Sequence, residues 1–125
     1  MTENELSYLI RGAVFKVYNE LGPGLLESVY ETALSYELKQ LKLDVKNQIG
    51  IPMKYADINF DVGFRLDILV NDRVIIEVKS VEALADVHHK QLLTYLKLTG
   101  KKLGLLINFN SSLISDSIIR IVNNL

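Results

Sequence analysis

The chain has 125 residues, a common size for one domain, so we expect a single domain over residues 1–125. Because 49% of the residues are apolar and 23% are charged, the chain can bury a core, and disorder is excluded. It contains no cysteine, which excludes disulfides, thiolate zinc sites and cysteine nucleophiles. The formal net charge is -1, so a polyanionic partner would have to be bound by a local basic patch.

The sequence contains no segment typical of membrane insertion or secretion. No apolar run approaches the roughly 20 residues that cross a bilayer. Met1–Glu5 has neither the basic start nor the apolar core of a signal peptide. We therefore expect a cytoplasmic protein that has no membrane partner.

The first third of the chain is predicted to form two helices. From Glu5 to Leu21 apolar residues recur at helical spacing, and Gly22-Pro23-Gly24 ends the segment. A second helix is predicted from about Leu25 to Leu41, where it would cover a sheet.

The middle of the chain is predicted to form strands. The segment Val45–Tyr55 is rich in strand formers but is interrupted by a glycine and a proline, which is typical of an edge strand or a bent strand. Phe64–Val70 and Val74–Lys79 flank the polar triplet Asn71–Arg73. This pattern predicts a β-hairpin.

The last third is predicted to contain a helix and at least one strand. Glu82–Leu98 has helical spacing, and Gly100 is predicted to cap its C-terminus. Leu103–Asn108 is a short apolar strand, whereas Ser111–Leu125 fits either a helix or a turn followed by a strand. We favour the turn and strand.

The length of the hairpin loop decides whether two carboxylates meet. A two-residue turn would place Asp67 and Glu77 on opposite faces, whereas the three-residue loop Asn71–Arg73 places them directly across from each other. The second register also collects a wholly apolar face, which must be core: Leu66, Ile68, Val70, Val74, Ile76 and Val78.

Two opposed carboxylates, with roughly 5 Å between their Cβ atoms, repel each other unless positive charge lies between them. Oxygen ligands at this geometry suit Mg²⁺ or Mn²⁺. Lys79 follows Glu77 by two residues, so it projects from the same face and can contact a phosphate or a water. A second interpretation stays open, in which Asp67 and Glu77 are solvent-facing residues of a half-exposed antiparallel sheet.

Three motifs in chain order resemble those of the PD-(D/E)XK nuclease superfamily. Asp67 followed by Glu77-Val78-Lys79 matches the D...(D/E)-x-K signature. Upstream, residues 24–30 match the Gly-x-x-Glu-x-x-Tyr motif that names a small bacterial family of this superfamily, the GxxExxY proteins. Downstream, residues 91–95 are similar to the Gln-x-x-x-Tyr motif of RecB-like and Cas4-like members. One departure is Leu66, which occupies the position of the proline before the aspartate.

The resemblance implies a fold and a metal site. The fold is of the α/β (α+β) class, a restriction-endonuclease-like αβββαβ core whose central mixed β-sheet is flanked by helices. Asp67, Glu77 and the backbone carbonyl of Val78 would hold Mg²⁺ or Mn²⁺, and Glu27 would complete the shell directly or through water. Lys79 would orient or help deprotonate the attacking water and stabilise the developing negative charge.

The resemblance also implies that Gln91 and Tyr95, which share a helical face, position the substrate backbone or the catalytic groups. Glu27 has a plainer explanation, because an acid near a helix start is favoured by the helix dipole. Tyr30 is expected in the core and His88 at the surface, so neither is included in the site.

The function implied by the resemblance is metal-dependent hydrolysis of phosphodiester bonds, with DNA as the expected partner. One site cuts one strand, so a double-strand cut would require a homodimer. An alternative is a catalytically silent nuclease-fold module that binds nucleic acid or serves as a subunit of a larger complex. Six basic residues follow or flank the proposed site and could guide a polyanion: Arg65, Lys79, Lys90, Lys97, Lys101 and Lys102.

Overall fold

The computed structural model describes all residues, Met1–Leu125. Its helices and strands follow the predicted order αβββαβ, with one helix added before this core and one strand after it. The elements are α1 (Glu3–Leu21), α2 (Glu27–Gln40), β1 (Val45–Tyr55), β2 (Ile58–Val70), β3 (Val74–Lys79), α3 (Asp86–Thr99), β4 (Leu103–Asn108), a 3₁₀ turn (Ile114–Ser117) and β5 (Ile118–Val122).

The five strands form one mixed sheet in the order β1-β2-β3-β4-β5. Only β3 and β4 run parallel, and α3 makes the crossover between them. The other neighbours are antiparallel. The prediction of a turn and a strand at the C-terminus is confirmed, because the 3₁₀ turn leads directly into β5. Because β3 and β4 are parallel and in register, their last residues, Lys79 and Asn108, lie side by side at one edge of the sheet.

Helices cover both faces of the sheet. α1 and α2 pack on one face and form the larger apolar cluster, which includes Ile68, Val70 and Ile76. α3 packs on the other face and forms a smaller cluster through Leu92 and Leu96. The central strand β3 is consequently buried on both faces. The half-exposed sheet is therefore wrong as an interpretation of this region.

None of the helices combines the length and apolar character needed to cross a membrane.

The corner between α1 and α2 is held by Tyr30, which is fully buried as expected. Its hydroxyl donates to the carbonyl of Gly22 at 2.5 Å and accepts from the amide of Leu25 at 3.1 Å. Its ring stacks on Phe109 with 4.5 Å between centroids. Because Leu25 is held in this corner, α2 begins at Glu27 instead of Leu25.

The face predicted for Leu66 is wrong. Ile68 packs towards α1 and α2, as predicted, but Leu66 packs with Leu69 against α3. The strand changes face at Asp67, which lies between them. Its neighbour in β1, Gln48, has a φ of 50° and interrupts the regular pairing at the same level.

β2 is longer than predicted, because it begins at Ile58 and pairs with the outer half of β1. We call residues 52–63 the arm, since there β1 and β2 pair only with each other. β1 lies at the edge of the sheet, which confirms the edge-strand alternative. A bulge sets residues 61–63 of β2 against the single residue Pro52 of β1. The alternation of Ile58 and later apolar residues with polar ones was the signal for this strand.

Candidate active site

The β2–β3 hairpin has the predicted register. Ile68–Val70 pairs with Val74–Ile76 through the loop Asn71–Arg73, whose first two residues have φ values of 51° and 57°. Regular pairing stops there, so the next opposed residues, Asp67 and Glu77, lie where the two strands separate. The register thus brings the two carboxylates together at the opening of the sheet.

Each carboxylate accepts a hydrogen bond from the backbone of the opposite strand. The amide of Asp67 donates to Glu77 Oε2 at 3.0 Å, and the amide of Val78 donates to Asp67 Oδ2 at 2.9 Å. These bonds fix both side chains between the strands. The remaining oxygen of Glu77, Oε1, has no partner in the protein and is not fully buried. It can therefore receive a ligand.

Burial makes it costly for these carboxylates to ionise together. Glu77 is only 5% exposed. Burial, and then the charge of Asp67, raises the pKa of Glu77 to about 8, against the effect of the Asp67 amide and Lys79. Burial also raises the pKa of Asp67, although the Val78 amide and Lys79 oppose this. A cation between the two carboxylates would offset the cost of ionising both of them.

Lys79 ends β3 and is half-buried. Its charge lowers the pKa of both Asp67 and Glu77, so the ammonium is close enough to act on both carboxylates. It is absent from the four ion pairs of the protein. Its ammonium is therefore available to a substrate or a water.

Glu27 lies next to this pair but does not complete a three-carboxylate cluster. Its Oε2 accepts from the amide of Ser80 at 3.1 Å, and the Ser80 hydroxyl donates to the carbonyl of Leu25 at 2.6 Å. These contacts fix the start of α2 beside the end of β3. Its charge contributes to the raised pKa of Asp67, after burial. However, no group of three or more Asp, Glu or His side chains is placed to hold a metal.

Tyr95 and Gln91, both on α3, lie in different surroundings. Tyr95 is half-buried and stacks on Phe64, with 4.5 Å between centroids and 16° between ring planes. Burial, followed by the charges of Glu77 and Asp67, raises the pKa of the Tyr95 hydroxyl, so the two carboxylates act on this group. Gln91 is exposed and forms no hydrogen bond with the protein. Tyr95 is thus brought to the site, whereas Gln91 faces solvent.

A family model described as the PD-(D/E)XK nuclease superfamily matches residues 4–121, which is most of the chain. The chain belongs to this superfamily. Its mixed five-stranded sheet with three helices is consistent with the restriction-endonuclease-like fold. No curated protein and no solved structure gives a significant match.

Two residues of this PD-(D/E)XK protein contact the site and were missed in the sequence. Gln48 Nε2 donates to Glu31 Oε1 at 2.8 Å and to Asp67 Oδ1 at 3.3 Å, so it links α2 to the aspartate. Glu31 follows Glu27 by one helical turn, and this spacing could have identified it. Nothing in the sequence pointed to Gln48, because its role depends on how β1 pairs with β2.

His88 does not belong to the site. Its Nδ1 accepts from the amide of Ala85 at 2.9 Å, which caps the start of α3. His89 contacts the carbonyl of Ala85 at 3.2 Å. Both histidines therefore contact the start of α3, and leaving His88 out of the site stays a prediction.

The chemistry of the PD-(D/E)XK pair fits a hard divalent cation. Asp67 and Glu77 supply only oxygen atoms, and one oxygen of Glu77 is free. Both groups have raised pKa values that positive charge would lower. Oxygen donors of this kind suit Mg²⁺ or Mn²⁺.

Proposed function

We propose that this PD-(D/E)XK protein is a metal-dependent nuclease that hydrolyses phosphodiester bonds of DNA. The observation that supports it most is the pair Asp67 and Glu77, held at the opening of the sheet by hydrogen bonds from opposite strands. The charge of a lysine without an ion pair acts on both carboxylates. This arrangement combines ligands for a cation with a positive group for a phosphate.

In the proposed site, Asp67, Glu77 and the backbone carbonyl of Val78 hold Mg²⁺ or Mn²⁺, and Glu27 joins them through water. Such a cation, when bound, supplies charge that acidifies a water and stabilises the phosphate. The ammonium of Lys79 orients the attacking water and neutralises charge that develops on the phosphate oxygens.

The positions around the pair support roles in positioning. Gln48 fixes Oδ1 of Asp67 through the bridge to Glu31. Tyr95 contacts the sugar or base next to the scissile phosphate, whereas the exposed Gln91 contacts the strand farther along α3. Glu27 is the glutamate of the Gly-x-x-Glu-x-x-Tyr pattern, so we also propose that the chain is a GxxExxY protein.

The basic patch proposed for DNA is smaller than six residues. Lys90 pairs with Asp86, and Lys101 pairs with Asp72, each at 3.0 Å. Four of the six basic residues lack an ion pair: Arg65, Lys79, Lys97 and Lys102. Lys102 precedes β4 and lies beside the loop Asn71–Arg73, at the other end of β3 from Lys79. The proposed phosphate contacts are therefore Arg65, Lys79 and Lys97. A homodimer would place two such sites on the two strands of a duplex.

The proposal is tested by cleavage assays on plasmid, single-stranded, branched and RNA substrates with Mg²⁺ or Mn²⁺. We expect Glu77→Ala and Lys79→Ala to lower the rate by roughly 100-fold or more. Glu82→Ala is the matched control, because Glu82 is exposed and forms no ion pair. If no substrate is cut, or if Glu77→Ala and Lys79→Ala cut as fast as the wild type, the proposal fails.

A second candidate is a nuclease-fold binding or regulatory subunit without turnover. It is favoured by the backbone hydrogen bonds that occupy one oxygen of Asp67 and one of Glu77, since these bonds satisfy the site without a cation. Calorimetric titration with Mn²⁺ separates the two candidates. A nuclease site binds Mn²⁺ in the absence of nucleic acid, whereas the silent module does not.

A further inference from the structure

The arm exposes an apolar face that no helix covers. Met53 pairs with Phe60, and Tyr55 pairs with Ile58. Because side chains two residues apart on a strand point to the same side, these four lie on one face. Tyr55 is 72% exposed, Ile58 55% and Phe60 44%. A two-stranded ribbon that exposes large apolar side chains is marginally stable alone, and such patches mark binding sites.

This face continues into the candidate active site. On the sheet side of the bulge, Ile51 pairs with Phe64, and both pack at the edge of the cluster under α3. Phe64 stacks on Tyr95 and precedes Asp67 by three residues in β2. At about 3.3 Å per residue, β2 carries the face roughly 30 Å from Asp67 to Ile58. Aromatic rings therefore recur from the carboxylates outwards along the arm.

The charges of the arm argue against contact with a duplex. Residues 52–63 include one lysine, Lys54, and two aspartates, Asp57 and Asp61. A duplex presents its phosphates outwards, and two carboxylates with an apolar face would repel or desolvate them. An unpaired strand instead exposes its bases, and bases stack on aromatic side chains of any suitable surface.

The edge of the arm is poorly suited to strand addition. β1 is the outermost strand, but within the arm it carries Pro52, which has no amide to donate, and the charged Lys54. The exposed feature is thus the face and not the edge.

We infer that the apolar face of the arm binds unpaired bases of a single nucleic-acid strand whose phosphate lies at Asp67 and Glu77. The inference rests on the proposed function and names its substrate class as single-stranded nucleic acid. Tyr95 and Phe64 take the base nearest the site, and Phe60 and Tyr55 take bases farther along the strand.

The inference is tested by fluorescence anisotropy with labelled oligo(dT) of about 16 nucleotides, the upper end of the length that such stacking surfaces cover, and with a duplex of equal length. The protein carries Glu77→Gln so that no substrate is cut. We expect oligo(dT) to bind about tenfold more tightly than the duplex. Tyr55→Ala and Phe60→Ala should each weaken oligo(dT) binding about fivefold or more, the effect of losing one base stack.

Two variants control for general effects. Tyr8→Ala removes an equally exposed tyrosine from α1, on the opposite face of the sheet, and should bind like the parent. Tyr55→Phe keeps the ring and should retain binding. Thermal unfolding of each variant checks that the fold is kept.

Equal or tighter binding of the duplex would overturn the inference, as would unchanged binding by Tyr55→Ala and Phe60→Ala. If sedimentation shows a dimer that these two substitutions dissociate, the face is a subunit interface and the inference is wrong. Cleavage of duplex without preference for single strands refutes the inference while the proposed function holds. Binding of oligo(dT) without cleavage of any substrate would refute the proposed nuclease activity, while the inference about the arm holds.

Discussion

Replacing Glu77 by glutamine should stabilise the metal-free protein at neutral pH. The folded state holds Glu77 between two strands, where burial and Asp67 raise its pKa to about 8 from an ordinary value of 4.5. Ionisation of this group therefore opposes folding. Glutamine keeps the carbonyl oxygen that accepts the Asp67 amide but carries no charge, so the penalty is removed.

The sign follows from proton linkage. A carboxyl group with a raised folded pKa holds its proton more tightly in the folded state, so the wild type loses stability as pH rises from about 4.5 to about 8. At pH 7 the penalty in the free energy of unfolding is up to about 3 kcal/mol. For a chain of this length that corresponds to a gain on the order of 10 °C in Tm for Glu77→Gln.

The assay is thermal unfolding by circular dichroism in EDTA at a series of pH values, with Glu82→Gln as the same substitution at an exposed site. The difference between Glu77→Gln and the wild type should be small near pH 4.5, grow through neutral pH and level off above pH 8. Mn²⁺ added at the alkaline end should raise the Tm of the wild type but not of Glu77→Gln. Parallel pH profiles for the wild type and Glu77→Gln would refute the reasoning.

Three further predictions concern the site and the packing around it. Mn²⁺ binding should release a proton from Glu77, so calorimetry should show a Kd that falls up to roughly tenfold per pH unit below about 8; a Kd independent of pH would contradict this. Gln48→Ala should weaken Mn²⁺ binding by about 10-fold, because the amide orients the neighbouring aspartate, whereas Gln40→Ala at the exposed end of α2 should not. Gly104→Ala should lower the free energy of unfolding by about 1–3 kcal/mol, because the added Cβ would lie 2.8 Å from a leucine of α3. Gly12→Ala should raise the free energy of unfolding by about 0.5–1 kcal/mol, because the added Cβ on α1 meets open space. Denaturant titrations measure both variants, and equal effects of Gly104→Ala and Gly12→Ala would contradict both predictions.

The hairpin could be predicted because its determinants are local. The polar loop Asn71–Arg73 and the apolar strands on either side allow only one register that buries a face, and this register was found. Opposition of Asp67 and Glu77 follows from that register alone. The helices and their order were also predictable, since helical spacing and the breakers after α1 are properties of short segments.

The surroundings of Asp67 could not be read from the same pattern. Strict alternation predicts that Leu66 faces the same side as Ile68, but the strand changes face between them. The change lies opposite Gln48 in β1, which is distant in sequence, has a positive φ and interrupts the regular pairing. The first part of β2, residues 58–63, was missed although its alternation is a signal for a strand, and its only partner is β1.

The sequence by itself determined which residues could meet across one hairpin, because period, turn length and apolar content act over a few residues. Only the tertiary structure decided what lies around them. The burial that raises the pKa of Glu77, the contact of Glu27 with Ser80 and the stacking of Tyr95 on Phe64 all join segments far apart in the chain. Such contacts result from the packing of α2 and α3 on the sheet, which no local pattern specifies.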